Sequence, residues 1–66
     1  MIIKINGKEE TIAAKITLSQ LLNAKGLCFE RVVVEHNFCI LPKEAWAGVT
    51  LEENDNLEIV SFVQGG

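Results

Sequence analysis

The residues of this chain whose position suggests chemistry are the last three, Gln64-Gly65-Gly66, which directly follow a strand-like segment. Two glycines at the end of a strand weaken it and pack against nothing. They do form a narrow, flexible arm, and a free carboxylate on Gly66 can enter a tunnel that any side chain would block. Because chain ends often carry small residues without a function, the two glycines indicate a function only together with the secondary-structure elements that precede them.

Three further side chains, Cys28, His36 and Cys39, have the chemistry of metal ligands or of a nucleophile with its base. A structural zinc site uses four ligands, commonly with two cysteines close together, whereas these cysteines lie eleven positions apart. A Cys–His nucleophile needs a third group to orient the base, and the sequence indicates none. We therefore expect no metal site, no catalytic side chain, two free thiols and a partly exposed His36.

Size and charge narrow the function classes further. The chain has 66 residues, 48% hydrophobic and 23% charged, which is typical of one small globular domain. Such a domain buries only about 60% of its unfolded surface and has no room for a complete catalytic pocket. The net charge of −3 disfavours nucleic-acid binding, which depends on neutralising phosphates. Apolar runs are short and Met1-Ile2-Ile3-Lys4 lacks a signal-peptide pattern, so we expect a cytoplasmic protein that spans no membrane.

The first half of the chain predicts a hairpin followed by a short helix. Residues 1–5 are β-branched and apolar, Asn6-Gly7 is a strong two-residue turn signal, and residues 9–16 alternate as a returning strand. Thr17 with Gln20 three residues later is a capping-box pattern that begins a helix. The helix ends before Gly26, and its apolar face is formed by Leu18, Leu21 and Leu22.

The second half predicts two more strands around an irregular segment. Residues 32–37 begin with three valines, which favours a strand buried on both faces. Residues 38–49 are predicted to be irregular, with a helical turn opened by Pro42. Trp46 could anchor an interface, but we expect it in the core or half-buried, since a core with so few aromatic residues would use it. The acidic residues of 52–58 read as a solvated turn before a closing strand. The order predicts an α+β fold with a four- to five-stranded sheet on one short helix.

The closing strand places two sets of side chains on opposite faces. Leu57 and Ile59 alternate with Val60 and Phe62, and Gln64 continues the second set. The sequence alone allows either set to be buried. We expect Leu57 and Ile59 to be inside, which leaves Val60, Phe62 and Gln64 as an exposed docking surface beside the chain end.

These residues resemble the ubiquitin-like β-grasp sulfur carriers, and most closely the ThiS-type carriers of thiamine biosynthesis. The element order, the small size and the terminal Gly65-Gly66 carry the resemblance over essentially the whole chain. Its most specific segments are residues 37–46, with an Asn, a hydrophobic pair, Pro-Lys and Trp, and residues 51–60, a turn entering the last strand. Glu53 and Asn54 depart from the Asp and Gly usual there, and Asn is the next-best residue for a left-handed turn.

The resemblance implies a carrier that is not itself an enzyme and binds no cofactor. Residues 1–64 would form one β-grasp domain and residues 65–66 a flexible tail. In that family a ThiF-like enzyme uses ATP to adenylate the terminal carboxylate, here that of Gly66. A cysteine-derived sulfur donor converts the adenylate to a thiocarboxylate, and a ThiG-like thiazole synthase takes the sulfur for the thiazole of thiamine. The chemistry would then belong to these partners.

Other functions are consistent with part of the same sequence pattern. The small subunit of molybdopterin synthase and other β-grasp sulfur carriers have the same fold and tail, although the former chains are generally longer. A β-grasp interaction module with an idle tail belongs to a different class. The sequence leaves these alternatives open.

Overall fold

A five-stranded mixed sheet in the order β2-β1-β5-β3-β4 packs one face against a short helix. The computed structural model describes residues 1–62, so the predictions for Gln64, Gly65 and Gly66 lie outside the described residues. The elements are β1 (Ile2–Ile5), β2 (Lys8–Thr11), α1 (Leu18–Ala24), β3 (Val32–His36), β4 (Cys39–Leu41) and β5 (Asn56–Ser61), with 3₁₀ turns at Phe29–Arg31 and Lys43–Gly48.

Strand β5 lies at the centre of the sheet. It pairs in parallel with β1 and antiparallel with β3, while β1–β2 and β3–β4 are antiparallel hairpins. The first hairpin turns at Asn6 and Gly7, whose positive φ angles of 52° and 82° are those of the turn that an Asn-Gly pair favours. The predicted α+β arrangement of a mixed sheet on one helix is confirmed.

The helix begins and ends where its capping residues predict. The Gln20 backbone N–H donates to Thr17 Oγ1 at 3.1 Å, and the Gln20 side chain accepts from the Thr17 N–H at 2.9 Å. Gly26, just past the end, has a φ of +72°, the left-handed conformation that closes a helix. Within residues 1–62, no helix is long and apolar enough to cross a membrane.

The core lies between α1 and the inner face of the sheet. Trp46 is 2% exposed, its indole N–H donates to the Leu41 carbonyl at 3.0 Å, and its ring meets Phe29 edge-on at 5.4 Å between centroids. The predicted core position of Trp46 is confirmed. The buried apolar side chains are Ile3, Ile5, Leu18, Leu21, Leu22, Val32, Val34, Trp46, Leu51, Leu57 and Ile59.

Three details of the sequence-based description are wrong. Strand β2 ends at Thr11 and does not reach residue 16, because the chain turns at Lys15, with a φ of 64°, to leave the sheet for the helix. Val33 is 42% exposed, since the helix covers only one face of the sheet. Residues 38–49 are not irregular throughout, because Cys39–Leu41 forms β4, paired with β3, before the 3₁₀ turn.

Candidate functional site

The candidate site is the last strand and its outer face, by which we mean the face of the sheet opposite the helix. Strand β5 is held on both sides up to its final residues. On the β1 side, the Asn6 side chain accepts from the Ile59 N–H at 2.7 Å and donates to the Ile59 carbonyl at 3.1 Å. On the β3 side, the Phe62 N–H donates to the Arg31 carbonyl at 2.9 Å. The strand is therefore fixed to a point four residues before Gly66.

The outer face carries exposed apolar side chains near the end of β5. Val60 is 59% exposed and Phe62 44%, while Leu57 and Ile59 are buried on the inner face. Val33 of β3 lies directly opposite Val60 in the register and is 42% exposed. We call Val33, Val60 and Phe62 the tail-side patch. The expected orientation of the last strand is confirmed; docking at Val60, Phe62 and Gln64 stays a prediction.

Of the side chains considered as metal ligands or nucleophiles, His36 and Cys39 lie opposite each other in the β3–β4 register, whereas Cys28 precedes the first 3₁₀ turn. Cys28 and Cys39 are free and exposed, and His36 lies at the end of β3 with 22% of its side chain exposed. Within residues 1–62, no group of three or more His, Cys, Asp or Glu side chains is arranged to hold a metal ion. His36 is instead bonded to the Asp55 carboxylate, with 2.9 Å between Nε2 and Oδ2.

Asp55 is the polar residue that sequence reasoning misplaced. The sequence predicts Asp55 to lie in a solvated acidic turn, but the residue is only 6% exposed. Its carboxylate accepts from His36, from the Asn37 amide at 3.1 Å and from the Glu52 N–H at 2.8 Å. These bonds fasten the β3–β4 turn to the turn that leads into β5. The sequence predicts only a turn at this position, because Asn37 and His36, which bond the Asp55 carboxylate, lie 18 and 19 residues away.

The environment of Asp55 also sets its protonation. Burial acts to raise the pKa of the carboxyl, but the hydrogen bonds from His36, the Glu52 N–H and Asn37 outweigh it and lower the pKa below its ordinary value. Asp55 is therefore a carboxylate at neutral pH. It is a structural anchor at the end of the sheet where β5 begins, since Asn56 is the first residue of that strand.

Comparisons with known proteins agree with this geometry. The family model described as ThiS matches residues 3–66. The crystal structure of the thiamine biosynthesis protein (ThiS) from Geobacter metallireducens superposes with a TM-score of 0.85, covering 100% of both chains at 33% identity. The protein ycf40 of Pyropia yezoensis is 38% identical over 64 residues, 97% of this chain and 90% of that protein.

A longer relative carries a similar region. The thiazole synthase of Paramagnetospirillum magneticum is 42% identical over 62 residues, 94% of this chain. The chain spans 19% of that protein's length, and about the same share, 20%, of the thiazole synthase from Magnetococcus marinus. The family match over nearly the whole chain and the close structural superposition lead to one assignment: the chain belongs to the ThiS family of small sulfur carriers, and its fold is the ubiquitin-like β-grasp.

Proposed function

We propose that this chain carries sulfur for thiamine biosynthesis on the carboxyl group of Gly66. The observation that supports the proposal most is the match to the ThiS family, which runs through residue 66 and so includes both terminal glycines. The geometry is compatible with it: a hydrogen bond to the β3 side holds the chain at Phe62, and only three residues separate Phe62 from Gly66.

The proposed chemistry proceeds in two stages on the Gly66 carboxyl. A ThiF-like enzyme brings ATP, the carboxylate oxygen attacks the α-phosphate, and pyrophosphate leaves. The terminal sulfur of a cysteine-derived persulfide then attacks the carbonyl and expels AMP, giving an acyl disulfide. A second thiol cleaves its S–S bond, which leaves the thiocarboxylate on Gly66 and a new disulfide on the donor side. No cofactor is needed on this chain, and ATP is consumed by the enzyme.

The residue types suit this role. Gly66 has no Cβ, so a nucleophile reaches its carbonyl from either side. A thioacid is more acidic than an ordinary thiol, whose pKa is about 8.5, so it is ionised and nucleophilic at neutral pH without a neighbouring base. The protein's task is then to present the chain end, while the partners supply the catalytic groups.

We place partner docking on the tail-side patch, extended by Gln64. Exposed apolar side chains of this kind mark interaction sites on small soluble domains. The proposed partners are the activating enzyme and, as acceptor, a ThiG-like thiazole synthase. The link to the acceptor is supported by the similar region within proteins named thiazole synthase.

An adenylation assay tests the proposal. Wild-type protein incubated with a ThiF-like enzyme and ATP should support exchange of labelled pyrophosphate into ATP. Deleting Gly66, or appending one alanine after it, should abolish the exchange while circular dichroism stays unchanged. Exchange that persists in both variants would place the activated carboxyl elsewhere. If the thiocarboxylated protein gave its sulfur to the large subunit of molybdopterin synthase and not to a thiazole synthase, the protein would instead be a molybdopterin synthase small subunit.

A further inference from the structure

Two carboxylates stand side by side in the middle of the outer face. Glu35 of β3 and Glu58 of β5 are directly opposite each other in the register, so their Cβ atoms are about 5 Å apart. Both side chains are half-buried. In the described part of the chain the ion pairs are Lys25–Glu10, His36–Asp55 and Lys43–Glu30, and none of them involves Glu35 or Glu58.

This arrangement is unfavourable within the isolated domain. Like charges directly across a pair of strands repel each other, and an exposed sheet face tolerates many neutral residues at these positions. Lys4 of β1 lies on the same face, paired with Asn56 and so diagonal to Glu58, but none of the ion pairs of residues 1–62 joins Lys4 to either glutamate. Within residues 1–62 the two glutamates therefore repel each other without an ion pair that offsets the repulsion.

The pair is bordered by apolar side chains. Val33 and Val60 lie opposite each other on the same face, two residues along each strand from the glutamates. On the other side of Glu35, its partner in β4 is Ile40, which is 68% exposed. A charged centre within an apolar border is the pattern of a binding hot spot, because the border excludes water from the polar contact.

We propose that Glu35 and Glu58 together bind one arginine of a protein partner, whose apolar side chains cover Val33, Val60 and Ile40. A guanidinium carries five N–H donors in a planar fork and can bond two carboxylates at once, whereas an ammonium is a compact point charge. A cation between the two carboxylates also turns their repulsion into attraction. This assignment rests on the proposed function, under which the partner is the activating enzyme.

A competing explanation is that the charges keep the apolar outer face from associating with other copies, since charges that face out of a sheet are used in this way. The two explanations differ in what neutralising the pair does. Loss of an arginine site weakens binding of the enzyme, whereas loss of a protective charge leaves that binding unchanged and promotes self-association.

The test compares two double variants of equal charge. E35Q/E58Q removes the pair, and E44Q/E52Q removes two exposed carboxylates that lie outside the strands of the sheet. With the ThiF-like enzyme and ATP, we expect the KM for the E35Q/E58Q carrier to rise at least about tenfold with kcat unchanged. The control should change KM less than about twofold, which separates a local contact from the effect of net charge.

A second measurement distinguishes a binding role from a structural one. Because the repulsion is relieved, E35Q/E58Q should unfold at a higher temperature than the wild type although it binds the enzyme less tightly. An unchanged KM, or an equal rise in the control, would overturn the assignment, as would self-association of E35Q/E58Q in light scattering with KM unchanged. A wild-type carrier that is never adenylated would instead refute the proposed function, and this assignment with it.

Discussion

Replacing Asp55 by alanine should destabilise the fold more than any other change to a charged side chain of the described residues. The carboxylate is 6% exposed and accepts three hydrogen bonds, from His36, Asn37 and the Glu52 N–H. It ties two turns together at one end of the sheet, and alanine leaves all three donors without that acceptor.

The magnitude follows from these contacts. Hydrogen bonds to a charged group contribute about 1.5–3 kcal/mol each, but the His36 side chain is 22% exposed and its freed donor can reach water. Asn37 and Glu52 are exposed as well, so their freed donors also reach water, and we expect a total loss of about 2–4 kcal/mol, below the plain sum of three such bonds. For a chain of 66 residues the whole free energy of unfolding is about 3–10 kcal/mol. The midpoint of thermal unfolding should therefore fall by roughly 10–25 °C.

Urea denaturation followed by tryptophan fluorescence measures this loss. Trp46 is the chain's only tryptophan and is buried in the core, so its emission reports global unfolding. Glu44→Ala is the matched control, because Glu44 is exposed and such surface changes shift stability by about 0.5 kcal/mol or less. A loss below about 1 kcal/mol for Asp55→Ala would refute the anchoring role.

The same variant carries a pH signature. The pKa of Asp55 is lowered in the folded protein, so the unfolded chain binds the proton more readily. The contribution of Asp55 is then fully present above the unfolded pKa of about 4 and is lost as the pH falls through the lower folded value. The stability difference between wild type and Asp55→Ala should be constant near neutrality and shrink below about pH 4. A difference that grows with acidity would contradict this.

Two other changes test how the turns position the strands. Asn6→Ala removes both side-chain bonds to Ile59 and puts alanine at a φ of 52°. The change should lower the free energy of unfolding by about 2 kcal/mol and speed hydrogen exchange at the Ile59 amide. Unchanged exchange would contradict the role of Asn6 in holding β5. Phe38→Gly relieves a φ of 71° at a side chain that is 80% exposed. The free energy of unfolding should rise by about 1 kcal/mol, seen as a higher urea midpoint. A lower midpoint would refute the backbone strain at Phe38.

Local signals in the sequence predicted much of the fold because their partners are close in the chain. Thr17 and Gln20 complete a capping box within one turn, and Asn6-Gly7 is a turn by itself. Alternation along the last strand separated Val60 and Phe62 from Leu57 and Ile59 but allowed either set to be buried, and the structure exposes Val60 and Phe62. The ThiS resemblance, carried by the element order and by local motifs, was confirmed by the family and structure matches.

The features that were missed depend on partners far apart in the sequence or on an unusual residue. Strand β4 has three residues, and its turn uses Phe38 at a positive φ, where glycine is the usual residue. The burial of Asp55 depends on His36 and Asn37, which no local pattern connects to it. The exposure of Val33 depends on which face of the sheet the helix covers.

The central claim is that Gly66 carries sulfur, and intact-mass spectrometry tests it most directly. The wild-type protein is incubated with a ThiF-like enzyme, ATP and a persulfide sulfur donor, beside a variant that lacks Gly66. The account predicts a mass gain equal to the exchange of one oxygen for one sulfur, located by fragmentation on the last residue and absent from the variant. An unshifted wild-type mass, with the enzyme active on a known carrier in parallel, would contradict it.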